Sequence, residues 1–389
     1  MNVLIIGNGI SAKSAYELAL KTKDNPFLLI GKEEKIEEKY RYYLNEELPQ
    51  IINKFDLFVI SPGVYFDDER LLYIKQYNKK IIGEIEYAYL KMEHKPFIIA
   101  ITGSNGKTSI TEALYYVLSK LNYDVYKGGN IGIPFSSISL SLSNSSFLIL
   151  ELSNFQLDHI DKFTPNIAII TNITPNHLDK VENYESYVKS KLKIYKNMSV
   201  NNHLIYLENI DGIIDFKGNK YIIKNNLNHL LVNRSIVEKV MDILNINNYE
   251  EYLDEFKGVK YRLEKINNHL YHDGKSTTPE STINAIKVIN NNDNLIVIIG
   301  GKNKNLDFNE LINIKVKKFI VYGEVSKILN GDNIINVNTL KEAFNKYKEI
   351  KDKNTILLYS PACTSFDQYE NYIKRCKEFD QLIREEGYV

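Results

Sequence analysis

Phe97-Ile-Ile-Ala-Ile-Thr-Gly-Ser-Asn-Gly-Lys-Thr108 is the stretch on which the fold turns. Its apolar start predicts a buried strand, and Gly103 and Gly106 predict a loop. Lys107 and Thr108 open a helix, because Ile110, Ala113, Leu114, Val117, Leu118 and Leu121 recur at helical spacing. Strand, glycine loop, Lys-Thr and helix in that order form a phosphate cradle. The glycines let backbone N–H groups approach phosphate oxygens, and the helix N-terminus adds partial positive charge. The lysine holds the terminal phosphates and the threonine hydroxyl binds Mg²⁺. Gly103, Ser104, Asn105, Gly106, Lys107 and Thr108 are therefore candidate contacts for ATP or GTP. The common pattern carries another glycine where Ile101 stands here. The plainer alternative, a glycine-rich turn with a surface lysine, is disfavoured by a strand and a helix in the right order.

Working outward, 389 residues allow two or three domains, and a hydrophobic content of 44% is ample for several cores. Lys+Arg and Asp+Glu both number 49, so the charge favours neither nucleic acid nor an anionic membrane as a partner. No apolar run approaches the roughly 20 residues of a membrane span. Met1-Asn-Val-Leu-Ile-Ile-Gly7 lacks the basic start and small-residue cleavage site of a signal peptide. Cys363 and Cys376 are too few for a disulfide framework, and they are expected to pack and not to react. A cytoplasmic protein is expected.

The pattern predicts three consecutive α/β domains. In residues 1–94, Val3–Ile6, Phe27–Ile30 and Leu57–Ile60 read as strands and Ser11–Leu20 as a helix. The turn Gly7-Asn-Gly-Ile-Ser-Ala12 fits a phosphate-tolerant, Rossmann-like βα unit, with alanine in the third glycine's slot. Residues 95–258 hold the phosphate loop and strands Phe147–Leu152 and Ile167–Ile173, and read as a P-loop ATPase-like domain. Within them, about 201 to 258 is Asn-rich and poorly patterned. Residues 259–389 hold strands Leu295–Ile299, Phe319–Tyr322 and Thr355–Leu358 and a final helix from Tyr369 to Ile383, and read as a second Rossmann-like domain.

Parallel sheets gather ligands at the C-terminal ends of their strands. Glu151, Ser153, Asn172 and His177 are therefore expected near Lys107. Glu151 ends an apolar strand and suits the Mg²⁺ held by Thr108; His177, in a Pro-Asn loop, suits a metal or a phosphate. Lys191 shares a helix face with Tyr184, Tyr187, Val188 and Tyr195 and points inward. Two states are open to it: a stem on apolar surface with its head in water, or a buried amine of lowered pKa that captures CO₂ as a carbamate and becomes a metal ligand. Helix spacing alone favours the first. Further on, Arg262 follows the domain junction. Asp273 and Lys275 lie on one side of the chain if it is extended. Lys304 follows a glycine turn, and Ser360-Pro-Ala-Cys-Thr-Ser365 precedes the last helix.

Together these motifs resemble the Mur ligase family over nearly the whole chain. The resemblance rests on Thr102–Thr108, Gly128–Pro134, Glu151–Leu157, Asn172–Asp179, Lys191–Tyr195, His272–Thr282, Gly300–Lys304 and Ser360–Asp367. The Glu-Leu-Ser-Asn-Phe-Gln and Ser-Pro-Ala-Cys runs imply the member that uses ATP to join D-glutamate to UDP-N-acetylmuramoyl-L-alanine through an acyl phosphate, in peptidoglycan precursor synthesis. By resemblance, Lys107, His177, Lys191 and Lys275 are the catalytic set, and Thr108, Glu151, His177 and Lys191 (as carbamate) hold Mg²⁺. Asn233, Arg262 and Asp273 join the loop at ATP. Ile10, Ser11, Gly63, Asn130 and Ser153 bind the UDP-sugar; Thr277, Lys304, Ser365 and Tyr372 bind D-glutamate. No nucleic acid, no membrane insertion and a monomer are expected.

The chain departs from the family at three points. Gly31 stands where an acidic residue near the uracil is frequent, which shifts uridine recognition toward backbone contacts. Ile236 replaces the second amide of a His-Asn-x-x-Asn helix start, and Tyr372 replaces a phenylalanine. A sibling ligase, a nucleotide sensor without turnover and an NAD-linked oxidoreductase built on Gly7–Ala12 are the competing readings.

Overall fold

Among the described residues seventeen strands form three sheets, and the chain divides into two compact units, Met1–Phe256 and Lys257–Val389. A computed structural model describes every residue except 33, 65, 66, 175–182, 209, 211, 213–215, 225–228, 304, 305 and 389. His177 and Lys304 therefore lie outside the described residues.

The first sheet contains β1 (Asn2–Ile6), β2 (Asn25–Ile30), β3 (Tyr42–Leu44), β4 (Leu57–Ile60) and β5 (Ile81–Gly83), all parallel, in the order β3-β2-β1-β4-β5. The strand order reverses beside β1, which places a crevice between the turns after β1 and β4. The second sheet contains β6 (Phe97–Thr102), β7 (Val125–Gly129), β8 (Phe147–Glu151), β9 (Ile167–Ile170), β10 (His203–Leu207) and β11 (Asn219–Ile223). It is also parallel, in the order β11-β10-β9-β6-β8-β7, so the phosphate-loop strand β6 is internal. Its near-continuous Ile, Leu and Ala content is what burial on both faces requires. The second unit holds β12 (Glu264–Asn267), β13 (Leu270–His272), β14 (Leu295–Gly300), β15 (Lys318–Tyr322), β16 (Ile334–Asn336) and β17 (Ile356–Ala362), ordered β12-β13-β17-β14-β15-β16. Among its described strand pairs, β12/β13 at the edge is antiparallel and the others are parallel.

The Asn-rich stretch is more regular than its composition implies. It contributes β10, β11 and the helices His229–Leu244 and Glu250–Glu255. Val232, Ile236, Val237, Val240 and Met241 are buried on one face of the longer helix. Ile236 is thus a core residue. Strand β9 ends at Ile170, because Thr171 and Asn172 turn aside onto the phosphate loop. The last helix starts at Tyr372, where Asn371 accepts the Lys374 N–H at 3.0 Å. Chain direction also changes after His272. The Ser276 N–H bonds to the Asp273 carbonyl at 2.9 Å, so Asp273 and Lys275 sit in a turn and not along an extended strand.

The first two sheets share one apolar core, which takes in Val3 and Ile5 from β1, Leu148 and Leu150 from β8, and Phe135 and Phe163 between them. Two glutamates in the helix Glu84–Lys91 lock the arrangement. Glu84 is buried and accepts the Ser136 N–H at 2.6 Å. The Glu86 carboxylate is fully buried and accepts three successive backbone N–H groups, from Asp161 (2.9 Å), Lys162 (2.8 Å) and Phe163 (2.9 Å). Three donors on one carboxylate meet the requirement that buried polar groups be satisfied. Removing it leaves all three amides unpaired. Glu86→Ala is therefore expected to destabilise the protein by about 2–4 kcal/mol, read as a lower urea midpoint. A midpoint equal to the wild type would contradict this account of Glu86.

Candidate active site

The loop after β6 folds as its glycines permit. Gly103 has φ +145° and Gly106 φ +86°, and a Cβ on Gly103 would overlap Thr171 Oγ1. Both positions need glycine for conformation, and Gly103 also needs it for space. The helix Lys107–Lys120 starts directly behind, so its N-terminal N–H groups face the loop. Asn172 Oδ1 accepts the N–H groups of Ser104 (3.1 Å) and Asn105 (2.8 Å), which holds the loop from the β9 side. The Lys107 amine folds back and donates to the carbonyls of Gly103 (2.7 Å) and Ser104 (2.9 Å). Asn233 reaches the same loop: its Oδ1 lies 3.1 Å from the place a Gly106 Cβ would take.

Lys191 lies beneath this loop. It is only 2% exposed, and its Nζ donates to the Gly103 carbonyl at 2.9 Å. The stem-on-surface state is thereby excluded, since the head is dry. The Tyr187 ring lies against the amine, with its centroid 4.5 Å from Nζ, and the Tyr187 hydroxyl meets Ser104 Oγ at 3.0 Å. Burial holds the amine well below the ordinary lysine range; the like charge of Lys107 adds to the effect and the Glu151 carboxylate opposes it.

Glu151 ends β8 at 2% exposure. Its Oε1 accepts the Asn130 side-chain N–H at 2.9 Å, whereas Oε2 is buried with no hydrogen-bond partner among the described residues. An orphaned carboxylate oxygen at the phosphate edge, with the buried Thr108 behind the loop, fits a hard cation such as Mg²⁺. Among the described residues no three His, Cys, Asp or Glu side chains form a ready-made metal site. A site here would need the carbamate of Lys191 or residues outside the described ones, and His177 belongs to those. Ser153 is engaged structurally: it caps the helix Asn154–Asp158 and bonds with Gln156.

The crevice of the first sheet carries a second constellation. Ile10 (74% exposed) and Ser11 open the helix Ile10–Lys21 after β1, and Gly63 lies in the turn after β4. Asn8 Oδ1 and Ser61 Oγ, which sequence reasoning passed over, are buried there without partners among the described residues. The Gly31 N–H donates to Glu34 Oε1 at 2.8 Å. An acidic group thus stands at the end of β2 after all, from three residues downstream.

The second unit gathers its own polar turns. Asp273 is 2% exposed; its carboxylate accepts the Leu263 N–H at 2.9 Å and the Ser360 hydroxyl at 2.7 Å. Burial pushes its pKa up to about 6, against those hydrogen bonds and the nearby Arg262. Arg262 keeps a buried Nε without a partner among the described residues. The Lys275 N–H bonds to the Tyr261 carbonyl at 2.9 Å. Thr277 follows in the same loop, Ser365 is buried in the turn after β17, and Tyr372 opens the last helix.

The state of Lys191 is measurable through stability. The unfolded chain holds its proton up to the free lysine pKa of about 10.4, whereas the folded chain gives it up at lower pH. Folding is opposed wherever the unfolded state binds that extra proton, so the Lys191 contribution becomes more favourable as pH rises toward the free value. In CO₂-free buffer, Lys191→Met is expected to gain about 1–3 kcal/mol at pH 7 and to lose that slope; Gly103 keeps its bond from Lys107. A variant less stable than wild type at pH 7 would contradict the dry-amine description.

Comparison with known proteins bears on the same residues. The family profile of the Mur ligase middle domain matches residues 101–270, from the phosphate-loop strand to β13. A UDP-N-acetylmuramoylalanine–D-glutamate ligase of Aquifex aeolicus is 30% identical over 98% of this chain and 98% of its own length. The enzyme of that name from Clostridioides difficile is 33% identical over 88% of this chain and 87% of its own. Among solved structures, the MurF ligase of Thermotoga maritima in complex with ADP superposes with a TM-score of 0.65 at 14% identity, covering 99% of this chain and 94% of that one. The UDP-N-acetylmuramate-alanine ligase MurC of Thermotoga maritima gives 0.60 at 17% identity, covering 99% and 100%. These two likenesses concern the fold. With a phosphate loop, a dry lysine beneath it, a glutamate with one orphaned oxygen at the end of β8, and sequence kinship along nearly its full length, the chain belongs to the Mur ligase family.

Proposed function

We propose that this chain joins D-glutamate to UDP-N-acetylmuramoyl-L-alanine with ATP, in peptidoglycan precursor synthesis. The near full-length kinship with curated D-glutamate ligases carries the reading, and the loop geometry supplies the chemistry. A carboxylate oxygen of the alanyl group attacks the γ-phosphorus of ATP, and ADP leaves. The D-glutamate amine then attacks the acyl carbon and loses a proton; the tetrahedral adduct collapses to amide and inorganic phosphate. Two anionic substrates meet a triphosphate here, so this chain's task is to neutralise charge and hold geometry.

Within that reading the loop amides and Lys107 hold the phosphates, and Asn233 borders the nucleotide. Thr108, Glu151, the Lys191 carbamate and His177 hold Mg²⁺, which supplies Lewis-acid stabilisation of phosphoryl oxygens. Asn130 keeps the Glu151 carboxylate turned into the site. The crevice around Ile10, Ser11 and Gly63, with Asn8, Ser61 and Glu34, takes the uridine part. Arg262, Asp273 and Lys275 are assigned to the nucleotide and transferring phosphate. Thr277, Lys304, Ser365 and Tyr372 are assigned to D-glutamate. No described helix is long and apolar enough to cross a membrane; we place the enzyme in the cytoplasm, acting as a monomer.

Incubating the protein with ATP, Mg²⁺, UDP-N-acetylmuramoyl-L-alanine and either D- or L-glutamate tests this, with products read by mass. A D-glutamate adduct formed with stoichiometric phosphate, and abolished in Lys107→Ala, is expected. Adduct formation with a different amino acid, or none with any, would overturn the assignment.

A further inference from the structure

Arg375 is fully buried in the last helix. Among the described residues the arginine ion pairs are those of Arg70 and Arg234, and Arg375 has no carboxylate partner. Its guanidinium instead donates to three backbone carbonyls. Nη1 reaches Cys363 O at 3.0 Å and Gly300 O at 3.3 Å, and Nη2 reaches Gly274 O at 3.4 Å. Nε is buried with no hydrogen-bond partner among the described residues. A buried cation without a counter-ion is costly, and a planar fork of donors is the group best shaped to join several acceptors at once.

The three carbonyls belong to three turns at one edge of the sheet. Gly274 precedes Lys275 and Thr277, Gly300 ends β14, and Cys363 precedes Thr364 and Ser365. Direct bonds join the same turns. The Ala362 N–H donates to Ser276 O at 3.1 Å, and the Lys302 N–H donates to Thr364 O at 2.9 Å. The Thr364 hydroxyl returns a bond to Lys302 O at 3.1 Å. A Cβ on Gly301 would stand 3.0 Å from Arg375 Nη1, so the second turn lies directly on the guanidinium.

We propose that Arg375 is a positioning residue for the acidic amino-acid substrate. One guanidinium holds the turns carrying Thr277 and Ser365 in a single geometry, and sets a fixed positive charge behind them that favours a dicarboxylate. This rests on the assignment of Thr277 and Ser365 to the amino acid.

The test uses the full chain with Arg375→Lys, which keeps charge and loses the fork, and Arg375→Met, which loses both. Steady-state kinetics should show KM for D-glutamate raised about tenfold in the lysine variant and further in the methionine variant. KM for ATP and for the nucleotide sugar should stay within about twofold. Hydrogen exchange on the same proteins without substrates should show residues 274–277, 300–302 and 363–365 opening together while β14 and β17 stay protected. Unchanged exchange in those turns in the folded lysine variant would overturn the clasp. Faster exchange with an unmoved KM for D-glutamate, or with all three KM values raised alike, would overturn its role toward the amino acid. A wild type that turns over with a different amino acid would refute the substrate assignment by itself, and the exchange data would still decide the clasp.

Discussion

Removing the Lys191 amine from water sets the terms for everything around the phosphate loop. A lysine head seated on the Gly103 carbonyl, between a second lysine and a glutamate, is electrostatically unfavourable as an ammonium ion. Burial and the Lys107 charge both push it toward the neutral form. A neutral amine is a nucleophile toward CO₂: nitrogen bonds to carbon, one proton leaves to solvent, and a neutral group becomes an anion. That added negative charge would offset Lys107 and make the site a cation-binding one. It would also give the orphaned oxygen of Glu151 a reason to stay unpaired.

The same region ties the phosphate edge to the first sheet. β8 ends at Glu151, and Ser153 then caps a short helix. The His159 carbonyl accepts the Gly83 N–H at 2.8 Å, and the next amides run onto Glu86. About a dozen residues thus connect the carboxylate that ends β8 to the backbone amides held by Glu86. The crevice of the first sheet and the phosphate loop belong to one compact unit with a shared core. Positioning of this kind is where most of the rate in phosphoryl and acyl transfer originates.

What could be read from the chain beforehand follows the range of the forces involved. The phosphate loop was legible because strand, glycines and helix start are contiguous, so local conformation alone builds the cradle. Lys191 could be seen to face inward, since helical spacing decides that; its dryness could not, because the loop above it arrives from residues 88 positions away. Arg375 gave no signal at all, as its acceptors are carbonyls 12, 75 and 101 positions distant. The segment around the helix His229–Leu244 was obscured by its asparagines, although Val232, Ile236 and Val240 repeat every four residues. Glu34 escaped notice because a side chain folded back onto Gly31, and motif positions do not anticipate that.

Carbon-13 NMR of the intact protein equilibrated with labelled bicarbonate, with and without Mg²⁺, reaches the central claim most directly. A carbamate carbonyl signal at one lysine, absent in Lys191→Ala and strengthened by Mg²⁺, is the predicted result. A wild-type spectrum indistinguishable from that of the alanine variant would contradict a neutral, CO₂-capturing amine beneath the phosphate loop.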